Sequence, residues 1–364
     1  MPEAVVIGAG LTGLTAAHTL TRRGFDVTVY ERDFAVGGHA RSESMRGVPY
    51  EPHGAHIFHT SDSRVWGLVT SLVEMLPYRH RVLTEVEGES FSWPIQRDEL
   101  ERLDAWPRIQ RELASLSTVI DPSNFESWCV SQMGETLYGL FIDGYTTKQW
   151  GRPGRELSYD LGPKRVELRW DGNRELFRDP HQGWPAKGYG ALAEALAADT
   201  KIVLGQAVTL GDLPDIVAPG VPVIVTAALD DFCEQAHGPL DWRGVSLDAH
   251  WLPGVEFAQG AMVVNRPSLD VTYTRTIETK HVLGDSDLPG TVLMYEYPGA
   301  KAKHYPVPDA AGENRAAQQE YEATVRAYDR NPLIPAGRLA RYTYINMDEA
   351  MRDGMVAAVC AEGR

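Results

Sequence analysis

Three features of the 364-residue chain predict an α/β fold: a Rossmann-like nucleotide-binding domain carrying a helical insertion and an antiparallel β-sheet domain. The first is a short apolar run that enters a Gly-x-Gly-x-x-Gly turn and leaves it as a helix. The second is a change to helical periodicity between about residues 97 and 150, rich in Leu, Trp and Glu. The third is a set of alternating Val-, Thr- and Tyr-rich segments between about 260 and 297, which read as antiparallel strands.

In chain order, Ala4-Val5-Val6-Ile7 is the opening strand, Gly8, Gly10 and Gly13 form the turn, and the helix runs to about Arg23, where Gly24 stops it. Asp26 to Tyr30 alternates like a second strand, with Glu31 at its C-terminal end. Lys201 to Leu204 and Val221 to Val225 return to strand character, and a last helix follows Tyr344. The expected division is 1–75 with 190–235 and 325–364 for the nucleotide-binding domain. The helical part is 97–170, and the sheet domain is 76–96 with 171–189 and 236–324.

With 35 Lys+Arg against 50 Asp+Glu, the net charge of −15 argues against a nucleic-acid partner, while a local arginine pocket could still hold an anion. Cys129, Cys233 and Cys360 share no metal-ligand spacing and read as buried structural thiols of a reducing compartment. The acidic start carries no leader pattern, and no apolar run is long enough to span a membrane, so a cytoplasmic protein with no membrane partner is expected.

The glycine turn has a physical purpose. Gly8 permits the turn, Gly10 lets backbone approach a pyrophosphate, and Gly13 lets helix and strand pack closely. Glu31, 23 positions after Gly8, is placed to bind a ribose hydroxyl. Glu31-Arg32 then leads to a second glycine pair, Gly37-Gly38. That spacing is similar to the segment that lies against FAD in flavoproteins of the glutathione-reductase and amine-oxidase type.

From there the chain resembles UDP-galactopyranose mutases across nearly its whole length. The stretches that carry the resemblance are Gly54 to Thr60 (GAHIFHT), Gly144 to Gly151 (GYTTKQWG), Tyr273-Thr274-Arg275, Tyr305-Pro306-Val307 and Gly337 to Ala340 (GRLA). The resemblance implies a nucleoside-diphosphate-hexose mutase that interconverts pyranose and furanose forms by anomeric C–O cleavage and ring re-closure, with no net redox change. It implies Arg169 and Arg275 as diphosphate contacts, Arg338 near the nucleotide sugar, and His56 and His59 in the active-site histidine segment. It also implies Tyr305 and Tyr344 on the diphosphate, and Tyr145 and Trp150 on base and sugar. Arg169→Ala is then expected to remove turnover and leave the fold intact.

The departures cluster where the family lines its FAD. The usual Gly-Gly-Asn is Gly37-Gly38-His39, the usual Thr-Gly-Pro is Thr226-Ala227-Ala228, and a glycine pair is Ala336-Gly337. In the last helix Arg352-Asp353 bring charge to an expected apolar wall, and Asn346 stands for an aspartate. Two cofactor readings therefore stay open: FAD, or no flavin with a divalent cation, Mg or Mn, on the diphosphate. No metal site is expected from the sequence itself. An FAD-dependent oxidase or desaturase of the amine-oxidase type, and a nucleotide-sugar binding protein that has lost catalysis, are the alternative functions. The nucleobase, uridine or guanosine, stays open, as does a homodimer.

Overall fold

The computed structural model describes residues 1–284 and 287–363, with every side chain but that of Lys164. Five parallel strands form the nucleotide-binding sheet in the order Lys201–Leu204, Asp26–Glu31, Glu3–Ile7, Val223–Val225, Leu333–Pro335. The central strands read as unbroken apolar runs because helices cover them, and Val6, Val223, Ile224 and Val225 are fully buried. The opening turn delivers the helix Leu11–Arg22, against which the closing helix Met347–Glu362 packs. Glycine is required at both contacts. A Cβ on Gly13 would sit 2.0 Å from the Gly8 carbonyl, and one on Gly354 would sit 2.4 Å from that of Thr12.

The second sheet has six strands, ordered Trp242–Pro253, Gly290–Pro306, Arg275–Ile277, Val263–Asn265, Val82–Val86, Glu89–Trp93. Four of its five ladders are antiparallel, but Val263–Asn265 runs parallel to Val82–Val86, so the sheet is mixed and not purely antiparallel as expected. The Val82–Val86 strand comes from a distant part of the chain, so no hairpin turn constrains its direction. A small sheet of Phe58–Thr60, His181–Pro185 and Met75–Pro77 joins the two larger ones. The expected boundary between residues 75 and 76 falls inside its last strand.

The helical part stacks Trp106–Ser115, Phe125–Met133 and Glu135–Tyr138 on a core that includes Phe125, Trp128, Leu137 and Phe141. The Asn124 side chain caps the second of these by accepting from Ser127 N–H at 2.9 Å. Between Glu135–Tyr138 and Gly144–Trp150, residues Gly139–Asp143 wind as a π-turn. Such turns shift the register of the side chains that follow. Cys129 and Cys233 are buried as expected, whereas Cys360, on the outer side of the closing helix, is exposed. Among the described residues, no helix is long and apolar enough to cross a membrane.

Candidate active site

Where the helical part, the six-stranded sheet and the nucleotide-binding domain meet, they enclose a cavity of about 360 Å³. All eight residues expected to act on or bind substrate line it: His56, Tyr145, Trp150, Arg169, Arg275, Tyr305, Arg338 and Tyr344. They reach it from six separate segments. Phe141, Tyr145 and Gln149 recur every four residues through the π-turn and the helix after it, so one helical face supplies much of the wall. That helix is fixed at both flanks. Arg243 donates to the Lys148 and Gln149 carbonyls at its C-terminal end, at 2.9 and 2.7 Å. Lys148 Nζ donates to four carbonyls between Arg266 and Tyr273, the loop that leads into Arg275.

The cavity is cationic and aromatic. Arg275 donates to Glu296 at 2.6 Å, yet its Nε is buried with no partner among the described residues. Burial works against its charge, but the Glu296 carboxylate, with Tyr145 and Tyr305, holds its proton affinity well above the usual arginine value. A buried guanidinium with a spare donor asks for an anion. Tyr305 and Tyr344 stack with centroids 5.2 Å apart, and the Arg338 guanidinium carbon lies 5.6 and 5.3 Å from their ring centres. Burial pushes the Tyr145 hydroxyl up to about 12 and raises that of Tyr305 as well, so both are neutral donors at neutral pH.

Arg169 behaves differently from Arg275. It is 3 % exposed, and its guanidinium donates to Glu167 (2.7 Å) and to the carbonyls of Asn173 (3.0 Å), Glu175 (2.5 Å) and Leu176 (3.2 Å). Four of its five N–H groups are thus used inside the protein. Sequence reading missed Arg165, which lines the cavity 4.1 Å from the Tyr344 ring centre and donates to Asn346 at 3.3 Å. An isolated arginine after Pro163-Lys164 carries no local signal in the sequence; only its place in the fold shows it. Glu51 was missed for the same reason. His59 lines the cavity too, bonded to Asp179 at 2.7 Å.

The dinucleotide turn forms as expected. A Cβ on Gly10 would meet nothing within 4 Å, and the helix Leu11–Arg22 has no side-chain cap at its N-terminus. That geometry leaves room and donors for a phosphate. Glu31 is buried and accepts from Ala9 N–H (2.6 Å) and Asp33 N–H (2.9 Å), while Arg32 is exposed and lies 3.8 Å from Asp231. Gly37 N–H donates to the Ala9 carbonyl at 2.8 Å, and a Cβ on Gly38 would lie 3.2 Å from Gly10 Cα.

Beyond this turn the chain's own rings take over. His39 stacks on His304 with centroids 4.1 Å apart, and His53 lies 5.3 Å from His39. Burial, then neighbouring cationic groups, push His39 down to about 2 and His304 to about 4. Arg352 and Asp353 do not face an apolar wall. Arg352 pairs with Asp62 at 3.1 Å and Asp348 at 3.4 Å, and Asp353 accepts from Gly337 N–H at 2.6 Å while pairing with Arg341 at 2.8 Å. Asn346 completes a capping box with Glu349 at the start of the closing helix.

Comparison with known proteins agrees with this geometry. Residues 6–72 match a NAD(P)-binding Rossmann-like domain, and residues 140–344 match the UDP-galactopyranose mutase family (GLF). The chain is 29% identical to a probable UDP-galactopyranose mutase of Klebsiella pneumoniae, over 97% of this chain and 93% of that one. It is 27% identical to the dTDP-fucopyranose mutase of Escherichia coli, over 98% of each. A crystal structure of reduced UDP-galactopyranose mutase superposes with a TM-score of 0.82 at 18% identity, covering 100% of this chain and 96% of that one. By contrast, a protoporphyrinogen oxidase of Arabidopsis thaliana matches over only 18% of this chain and 13% of its own. The chain belongs to the UDP-galactopyranose mutase family.

Proposed function

We propose that this protein is a nucleoside-diphosphate-hexose mutase that interconverts the pyranose and furanose forms of its sugar without a flavin. The observation that carries the mutase reading is the convergence of Arg165, Arg275 and Arg338 with Tyr145, Tyr305 and Tyr344 on one cavity, where Arg275 Nε has no partner among the described residues. A diphosphate held there is both handle and leaving group. As the anomeric C–O bond breaks, negative charge grows on the diphosphate, and fixed guanidinium and phenol donors in a partly dry cavity stabilise that charge. The same donors hold the departed nucleotide for its return to C1. Relatives of near-full-length similarity are mutases acting on UDP-galactose and dTDP-fucose by name, and both support this reading over the oxidase one.

The residues present fit the ADP half of FAD but not its ring. Gly38 lies against Gly10, His39 follows it and stacks on His304, and the next residue along the chain, Tyr305, lines the cavity with Arg338. His39, His53 and His304 are packed ring on ring. An isoalloxazine reaching the cavity from the glycine turn would need the volume these side chains hold. No step is therefore assigned to flavin. A divalent cation carried by the diphosphate itself is compatible with the site, since Mg²⁺ commonly binds substrate phosphates with few protein ligands. No group of three or more His, Cys, Asp or Glu side chains is arranged to cage a cation among the described residues.

The test is a panel of UDP-, dTDP- and GDP-hexoses incubated with the protein and followed by NMR, with EDTA and added Mg²⁺ or Mn²⁺ as parallel arms. Appearance of the furanose signal without change in oxidation level supports the proposal. Oxidised sugar products would point to the oxidase, and tight binding with no turnover to a catalytically lost binding protein.

A further inference from the structure

Pyranose-to-furanose isomerisation has a simple proton balance. The C1–O5 bond is replaced by a C1–O4 bond, and one proton moves from O4 to O5. Any route that does not store the sugar on a cofactor needs a group in the cavity that can take that proton and give it back. We infer that His56 is that group and that Glu51, a residue outside every motif noted above, holds it in the working tautomer. The inference rests on the mutase reading.

Glu51 is 0 % exposed, in a stretch of chain that carries no lysine or arginine bonded to it. Its carboxylate is surrounded by three donors: His56 N–H at 2.6 Å, His56 Nδ1 at 3.2 Å and the Trp184 indole N–H at 2.7 Å. With the His56 N–H and the Trp184 indole N–H both donating to it, this carboxyl is an acceptor, so Nδ1 carries the hydrogen and Nε2 is left as the acceptor nitrogen. Nε2 has no protein partner among the described residues, and His56 lines the cavity. The ring is further fixed by Tyr189, 5.9 Å away edge-on, whose hydroxyl donates to the His56 carbonyl at 3.2 Å. Trp184 and Tyr189 are both fully buried, so the dyad is braced from behind by the core. This is the base-and-orienter arrangement of acid–base enzymes.

The neighbourhood matches the task. The backbone two residues before His56, at Gly54, lies beside the Arg275–Glu296 pair: a Cβ there would be 3.8 Å from both Arg275 Nη2 and Glu296 Oε2. The segment that carries His56 therefore passes beside the clamp expected to hold the leaving group, and both His56 and Arg275 line the cavity. The other titratable groups facing the ring are His53, His304 and His39. Burial first, then charges that include His56 itself, lower the proton affinity of all three. The second histidine–carboxylate pair, His59 with Asp179, is more open, with the Asp179 side chain 26 % exposed and shared with Ser61.

In the forward direction the nucleoside diphosphate leaves C1. O4 then bonds to C1 as His56 Nε2 takes the O4 proton, giving a bicyclic acetal in which C1 carries both ring oxygens. His56 returns the proton to O5 as the C1–O5 bond breaks, and the diphosphate oxygen re-bonds to C1. Atoms and charges balance with no oxidant, reductant or added acid. His56 is the catalytic residue in this sequence, and Glu51 is a positioning residue.

The experiment measures kcat and KM across pH for wild type, Glu51→Gln and His56→Ala, with melting curves to confirm folding. Gln at position 51 keeps the shape and one acceptor oxygen, for either the Trp184 indole or the His56 N–H, and presents no charge. Glu51→Gln is expected to lower kcat at least about tenfold with KM little changed. The acidic limb of its kcat–pH profile should also move to lower pH, because the neighbouring anion that favours the protonated ring is gone. His56→Ala should lose about 100-fold or more in kcat and regain part of it with free imidazole. A folded Glu51→Gln with the wild-type pH profile, or a folded His56→Ala that keeps its activity or ignores imidazole, overturns the relay. If the wild type converts no nucleoside-diphosphate hexose, the mutase reading fails and takes the relay with it.

Discussion

Two neighbouring regions, the substrate cavity and the corridor from the glycine turn toward it, differ in what their side chains leave open. In the cavity the eight residues expected from the resemblance converge from six segments. In the corridor the glycine turn keeps its shape, with open space at Gly10 and uncapped helix N–H groups, but His39, His53 and His304 fill the way forward. The difference teaches that a nucleotide-binding fingerprint reports the first turn of a fold and not what lies at the far end of the ligand. On the proposed reading, a sugar site is kept beside a cofactor site whose far end is occupied by side chains.

The largest expected effect falls on the cavity. Arg275→Gln keeps a donor for Glu296 and removes the buried positive charge, and it should cost about 100- to 1,000-fold in kcat/KM, read from steady-state kinetics on the preferred substrate. Arg165→Ala should act in the same direction but less, about tenfold and mainly in KM, because an uncaged guanidinium stacked on Tyr344 contributes through a rim contact. Near-equal losses in the two variants would erase the distinction between a buried clamp and a flanking cation.

Arg169 separates positioning from contact. Its substitution by Met strips donors from the carbonyls of Asn173, Glu175 and Leu176, and a stability loss of about 2 kcal/mol should show as a lower melting temperature alongside reduced turnover. On the same geometry Arg169→Ala is expected to lower the melting temperature as well, against the sequence expectation that it leaves the fold intact. Lost turnover with unchanged melting would return Arg169 to a direct role on the diphosphate.

The corridor carries a pH signature. His304 and His39 are held at about 4 and about 2 in the fold, against about 6.5 in an unfolded chain. As pH falls below about 6.5 the unfolded state takes up protons that the folded state refuses, so stability present at neutral pH is lost progressively toward about pH 4. His39→Phe keeps a stackable ring and removes one titrating group, so its melting temperature should depend less steeply on pH across that window. The smallest effect on stability is expected at Asn346→Ala, which removes half of a capping box for about 1 kcal/mol, seen in the melting temperature, and which also takes an acceptor from Arg165.

Much of this organisation was legible in the residues. The strand–turn–helix of Glu3–Ile7 and Leu11–Arg22 has a local cause, the φ freedom and close packing of glycine, and local causes can be read from sequence. The cavity aromatics could be read because whole strings such as GYTTKQWG occur together. What could not be read is contact across distant segments. The parallel ladder between Val82–Val86 and Val263–Asn265 joins strands about 180 residues apart in the chain and has no signature in either strand. Arg169 and Arg165 look alike in sequence; only the Asn173–Leu176 carbonyls wrapped around one of them separate anchor from clamp. Arg352-Asp353 read as stray charge because their partners, Asp62, Gly337 and Arg341, lie on other elements.

The most direct measurement of the central claim sets flavin content beside turnover in one preparation. Purified protein is denatured to release any bound flavin, and a matched sample is assayed for furanose formation with and without dithionite. The account predicts furanose product from protein that releases no flavin, at a rate dithionite does not raise. Stoichiometric flavin in the supernatant, with turnover appearing only after reduction, would contradict it.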